Sequence, residues 1–235
     1  MIRPRDWTQK SLGAAQRCHN RLRNAKKCLV LLSGGVDSTT LAFWLKDRRF
    51  AIEALYFDYG QGKTNGEREC ATTIARKLGI TLYLVETSLP NDVVKNVAMS
   101  QVSHTRTNNA RTFGDVVGMC TMAMTLALIH GFDSISLGIS ADNTRAHPSL
   151  NTIFFETLGE LASLWNGHRI IILTPFLQKS KSSIIKLGAG IRVPYAETWS
   201  CGANIEKQCG ECAECTARKA AFKEAKLPDP TEYER

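Results

Sequence analysis

Short apolar runs alternate along this chain with stretches whose apolar residues recur every three or four positions. Cys28–Leu32 is an unbroken apolar run closed by a Ser-Gly-Gly turn, which reads as a buried strand. Leu41, Ala42 and Leu45 then fall at helical spacing within 38–46. The alternation continues with a strand at 51–57, a helix at 67–78 and a strand at 81–85. A nearly all-apolar helix at 116–130, a strand at 134–137, a helix at 153–165 and a strand at 170–173 follow. Strands separated by helices of this length predict an α/β fold, a doubly wound parallel sheet covered on both faces. Such sheets hold ligands beyond the carboxyl ends of their strands, so the polar stretches 58–66, 100–115 and 139–151 are the expected walls of a site. After Pro175 the texture changes. A Lys/Ser-rich segment at 178–183 leads to a short helix, a cysteine-rich knot and a charged helix at 216–226, stopped by Pro228 and Pro230. The expected units are an extension (1–27), the α/β domain (28–175) and a C-terminal helical subdomain (176–235).

Composition sharpens this picture. With 235 residues and 43% hydrophobic content the chain is long enough for a core and too apolar for disorder. The formal charge of +8 suggests a nucleic-acid binder, but the excess is concentrated in residues 1–27. There Arg3, Arg5, Lys10, Arg17, Arg21, Arg23, Lys26 and Lys27 face a single acid, Asp6. Trp7, Leu12, Ala15 and Leu22 recur between them at helical spacing. This permits an amphipathic helix that packs on the body, completes a homodimer, or docks an acidic protein or RNA. The rest of the chain is close to neutral, so nucleic acid is the less favoured partner. No stretch approaches the roughly 20 apolar residues that span a bilayer, and the N-terminus lacks the apolar core of a secretory signal. The cysteines are too few for a disulfide scaffold at this length. A reducing, cytoplasmic setting is the expectation.

The most informative local signal is Ser33-Gly34-Gly35-Val36-Asp37-Ser38, placed between the first strand and the first helix. Adjacent glycines let the backbone turn tightly and approach a ligand. The amides that follow form the positive end of a helix, and Ser33 and Ser38 add hydroxyls. Together they make an anion cradle of pyrophosphate size. It is not a Walker loop, which needs Lys-Ser/Thr where Asp37 and Ser38 stand. A carboxylate in an anion-binding loop calls for a cation, and Mg²⁺ at Asp37 is the expectation. Cys201, Cys209, Cys212 and Cys215 follow a C-x7-C-x2-C-x2-C pattern. That spacing suits a closed structural zinc site; four thiolates also suit an iron–sulfur cluster.

The loop, Phe57-Asp-Tyr-Gly-Gln61, Thr174-Pro-Phe, Lys181, Glu197-Thr-Trp-Ser-Cys201 and Cys209-Gly-Glu-Cys-Ala-Glu-Cys215-x-x-Arg218 occur in that order. This set resembles the 7-cyano-7-deazaguanine synthase family of the PP-loop ATP pyrophosphatases, over about residues 28–222. The resemblance implies a Rossmann-like fold with a small C-terminal zinc-binding subdomain. It also implies an AMP-forming ligase: ATP adenylates 7-carboxy-7-deazaguanine, ammonia gives an amide, and a second adenylation gives the nitrile. By carry-over, Ser33, Gly34, Gly35, Val36, Asp37 and Ser38 bind ATP, Asp37 and Lys181 are catalytic, and Tyr59, Gln61, Arg111 and Asp142 contact the substrate. Two stretches depart from the family pattern, Phe113-Gly-Asp-Val116 and Ala141–Ser149, both at the acceptor walls. They leave open a paralogue that conjugates a 7-deazaguanine acid to an amine on a protein partner, as in the antiviral defence clusters where family relatives occur. A tRNA-thiolating enzyme is the other alternative; it requires a redox-active cysteine near the loop, with Cys70 and Cys120 the candidates. His104, in the polar stretch 100–115, and His147, in the second departing stretch, are candidate general bases, but a solvated or hydrogen-bonded role is expected of each.

Overall fold

The computed structural model describes residues 27–59, 64–87, 104–203 and 206–234, without the side chains of 64–65, 104–113 and 165–166. The Trp7/Leu12/Leu22 stripe, Gln61, and the Arg111 and His104 side chains lie outside the described residues.

The elements run β1 (Lys27–Leu31), α1 (Val36–Asp47), β2 (Ala51–Asp58), α2 (Thr64–Leu78), β3 (Leu82–Glu86), α3 (His104–His130), β4 (Ser134–Ser136), α4 (Ala141–Ala146), α5 (Thr152–Asn166), β5 (Ile171–Leu173), α6 (Lys181–Gly190) and α7 (Ala213–Ala225). All strand pairings are parallel, in the order β3-β2-β1-β4-β5. The order reverses between β1 and β4, which opens a crevice at their carboxyl ends.

Strand β1 shows why both faces are covered. Cys28 and Val30 point to one side, into a core with Leu41 and Leu45 of α1, Ile74 of α2 and Ile184 of α6. Leu29 points to the other, joining Leu55 and Phe57 of β2, Cys120 and Met124 of α3, and Phe155 of α5. The period of two, buried on both faces, gives the unbroken apolar run seen in the sequence. A third cluster fastens the C-terminal elements to this body. Val36 of α1 packs with Ile185 of α6, Val193, Tyr195, and Ala221 and Phe222 of α7.

Helices α2 and α7 start three residues earlier than expected, at Thr64 and Ala213, and three further differences bear on the site. Helix α1 starts at Val36 rather than Ser38, because Gly35 caps it in an extended conformation and accepts from the Thr39 amide at 3.0 Å. Helix α3 begins at His104, so the expected polar wall 100–115 is helical from residue 104 onward; its first turns have too few apolar residues to show a stripe. Within 139–151 lies the unexpected α4, a six-residue helix. Asn143 Oδ1 closes its start by accepting from the Ser140 amide at 2.9 Å and hydroxyl at 2.8 Å. Among the described residues, no helix is long and apolar enough to cross a membrane.

Candidate active site

The glycine loop falls at the sheet's switch point, between the end of β1 and the start of α1. Gly34 has φ +77°, and a Cβ there would lie 2.5 Å from the Glu67 carbonyl and 2.9 Å from the Ala71 nitrogen of α2. Only glycine can be both left-handed and this close to a neighbouring helix. Gly138 is pressed as closely from the far side, since a Cβ there would meet the backbone of Asp37 and Ser38 at 2.9 Å. The first helical bond is Thr39 N–H to Gly35 O, so the amides of Val36, Asp37 and Ser38 precede the helical ladder and have no partner within it. The Ser38 hydroxyl ties the loop together. It accepts from the Ser33 amide at 3.2 Å, donates to Gly35 O at 3.3 Å and lies 3.0 Å from the Ser33 hydroxyl. Ser38 is buried, whereas Ser33 is exposed, which leaves Ser33 as the more available donor.

Lys181, the first residue of α6, reaches back to this loop. Its Nζ lies 3.6 Å from Asp37 Oδ2. Burial pushes the Asp37 carboxyl above its ordinary value, Lys181 pulls it back, and the Asp142 charge pushes it further up. The other oxygen, Asp37 Oδ1, is buried and has no hydrogen-bond partner. An orphaned carboxylate oxygen beside a row of free amides fits a hard cation accompanying a polyphosphate.

A cavity of about 600 Å³ opens in front of these groups. One side is polar, formed by Ser33, Asp37, Lys181 and Asn143; another is apolar, from Leu31, Leu55, Phe57, Met119 and Leu137. Tyr59, Glu67, Trp199 and Ser200, and Glu214 and Ala217 of α7, also line the cavity. Every residue of the expected ATP loop except Gly34 lines the cavity, and so do Lys181 and Tyr59. Gly34 is behind it, pressed on α2. Asp142 does not line it. Its Oδ2 accepts the Lys181 amide at 2.9 Å and its Oδ1 receives Arg145 at 3.1 Å, so Asp142 fixes the base of Lys181. Sequence reasoning assigned no role to Asn143, Glu67, Trp199, Ser200 or Glu214; Trp199 and Ser200 were legible only as part of a motif.

The four knot sulfurs all lie within 4.8 Å of one another. A thiolate tetrahedron at the Zn–S distance of about 2.3 Å has edges of about 3.8 Å, so this donor set fits zinc. Backbone amides already point at the sulfurs: Cys209 Sγ accepts from Glu211 at 3.4 Å and Cys212 at 3.3 Å, and Cys212 Sγ caps α7 through the Cys215 amide at 3.4 Å. The Glu211 and Cys212 amides lower the Cys209 thiol to about 7. Elsewhere burial raises Cys28 and Cys120 to about 12 and Cys70 to about 11. Among the described residues, no cysteine lines the cavity.

This sheet order, loop and facing lysine define the class: an α/β ATP-using enzyme of the PP-loop type. The fold of NMN synthetase from Francisella tularensis is similar, with a TM-score of 0.55 at 15% identity over 97% of this chain and 88% of that one. The model of the family described as Queuosine biosynthesis protein QueC matches residues 27–226. The 7-cyano-7-deazaguanine synthase of Methanoculleus marisnigri is 35% identical over 89% of this chain and 100% of that protein. That of Methanospirillum hungatei is 34% identical over 88% and 99%. The chain belongs to the QueC family, whose members are ATP-dependent enzymes of small-molecule substrates.

Proposed function

We propose that the chain converts 7-carboxy-7-deazaguanine to 7-cyano-7-deazaguanine, with two ATP cleaved to AMP and pyrophosphate. The acid's carboxylate attacks the α-phosphorus and pyrophosphate leaves into the Ser33–Ser38 loop. Ammonia then attacks the acyl carbon and expels AMP, giving the amide. The amide oxygen takes a second adenylate, and loss of AMP and a proton leaves the nitrile. The amides of Val36, Asp37 and Ser38 and the Ser33 hydroxyl stabilise the departing charge, while Lys181 adds a mobile ammonium. Asp37 would hold Mg²⁺, which neutralises phosphate charge when bound. Cys201, Cys209, Cys212 and Cys215 would hold a structural zinc within the 176–235 subdomain. Tyr59, which lines the cavity, is the described residue offered to the acceptor.

The observation that carries this reading is the pairing of the Ser33–Ser38 loop with Lys181 across one cavity, in a chain of this family. Conjugation of the acid to a protein amine is the second reading, favoured by the altered walls at 113–116 and 141–149 and by the basic extension. Thiolation is disfavoured by the high-pKa thiols of the half-buried Cys70 and the buried Cys120. The test is incubation with ATP, Mg²⁺, the acid and ammonium, followed by mass analysis. A nitrile with two AMP per product is the expected result; a mass increment appearing only on an added protein would favour conjugation, and absence of AMP would overturn both.

A further inference from the structure

Residues 195–200 carry Trp199 and Ser200 into the cavity lining, yet beyond the short turn Tyr195–Glu197 they belong to no helix or strand. One buried side chain gathers them. Arg218 of α7 is 0% exposed. Its Nη2 donates to Tyr195 O at 2.8 Å, and its Nη1 to Thr198 Oγ1 at 2.7 Å, Ser200 Oγ at 3.3 Å and Thr198 O at 3.4 Å. Its Nε donates to Asp229 at 3.1 Å, which supplies the counter-charge that a buried guanidinium needs. Gln208 holds the same segment from the other side. Its Nε2 donates to Thr198 O at 3.0 Å and its Oε1 accepts the Ser200 amide at 2.8 Å.

With those groups committed, the Trp199 amide is left pointing at the phosphate loop, where it donates to Gly34 O at 2.9 Å. That carbonyl belongs to the residue whose φ is +77° and whose neighbours leave no room for a Cβ. The peptide plane that follows Gly34 O carries the Gly35 nitrogen, and the loop's free amides come next.

We propose that Arg218 is a positioning residue for the phosphate loop: by fixing residues 195–200 from behind, it aims the Trp199 amide at Gly34 O and thereby orients the amides that receive pyrophosphate. A side chain that served only to staple the C-terminal tail would need Asp229 alone. Here both terminal nitrogens of the fork are spent on the segment 195–200 that carries Trp199 and Ser200 into the cavity, as planar, multidentate recognition by arginine allows. The inference rests on the reading of Ser33–Ser38 as the pyrophosphate cradle.

The test uses full-length, metal-loaded protein and two substitutions at the partner of Nη1. Thr198→Val keeps shape and removes the hydroxyl, leaving Arg218 and its counter-ion in place; Thr198→Ser restores the hydroxyl. Inorganic pyrophosphate binding is read by calorimetry, deuterium exchange over 33–38 without ligand by mass spectrometry, and metal content by elemental analysis. Thr198→Val is expected to weaken pyrophosphate binding about tenfold, the scale of one hydrogen bond to a charged group. It should also speed exchange over 33–38 while metal content stays at the wild-type level, and Thr198→Ser should reverse both effects. Wild-type affinity and exchange in Thr198→Val would overturn the proposal, as would failure of Thr198→Ser to rescue. If the wild-type protein does not bind pyrophosphate, the reading of the loop fails; the exchange comparison then still decides whether Arg218 orients it.

Discussion

Asp37 carries an electrostatic conflict at the centre of the site. Burial raises its carboxyl, so in the pH window between the ordinary and the raised value the folded protein binds more protons than the unfolded chain. Stability contributed at this position is therefore present at low pH and declines as pH rises through that window. Asp37→Asn removes the conflict. Its thermal midpoint at pH 7 should rise above wild type, since Lys181 is 30% exposed and stays solvated without its partner. AMP formation should fall by about a hundredfold or more, the scale of losing a group that organises phosphate charge. Calorimetry and an AMP assay at the same pH check both halves; a less stable variant, or one with ordinary turnover, would contradict this account of Asp37.

At the scale of elements, the loop depends on how closely β1–α1 is pressed against α2. Gly34→Ala must pay for a left-handed alanine and for a Cβ 2.5 Å from the Glu67 carbonyl. A destabilisation of about 2–4 kcal/mol follows, measurable by denaturant unfolding. A loss below about 1 kcal/mol would show that the loop has room to stand away from α2. The strands were legible in the sequence because runs such as Cys28–Leu32 are buried on both faces. Helix boundaries were legible wherever an apolar stripe marked them. His104–Asp115 has none, so the first half of α3 was invisible, and α4 is defined by the Ser140–Asn143 closure rather than by any periodicity. In the site, the glycine loop and the cysteine spacing were readable because each is local in sequence. The hold of Asp142 on the Lys181 amide was not legible, because the two are 39 residues apart in the chain.

The whole molecule joins two units that the sequence presents separately. An arginine in a charged helix such as α7 ordinarily reads as a solvated surface residue, so nothing marked Arg218 as the buried anchor of the segment whose Trp199 amide meets Gly34 O. Cys201 follows Ser200 directly, which places the knot next to the segment that meets Gly34. Stripping metal with a chelator should therefore lower the thermal midpoint and weaken ATP binding together, and Cys212→Ser should reproduce both effects. Elemental analysis of the untreated protein should find about one zinc per chain. Unchanged ATP affinity after complete metal removal would show that the knot and the nucleotide cavity are independent.

The last residues are sewn into the same shell: Tyr233 bridges to Gln208 and its hydroxyl donates to Asp229 at 2.5 Å, while the Glu234 amide donates to Gln208 O at 2.9 Å. Gln208 and Asp229 are the two supports on either side of the wall segment. Removing residues 233–235 should thus lower turnover with every sheet residue still in place, and an AMP assay on the shortened chain reads that loss.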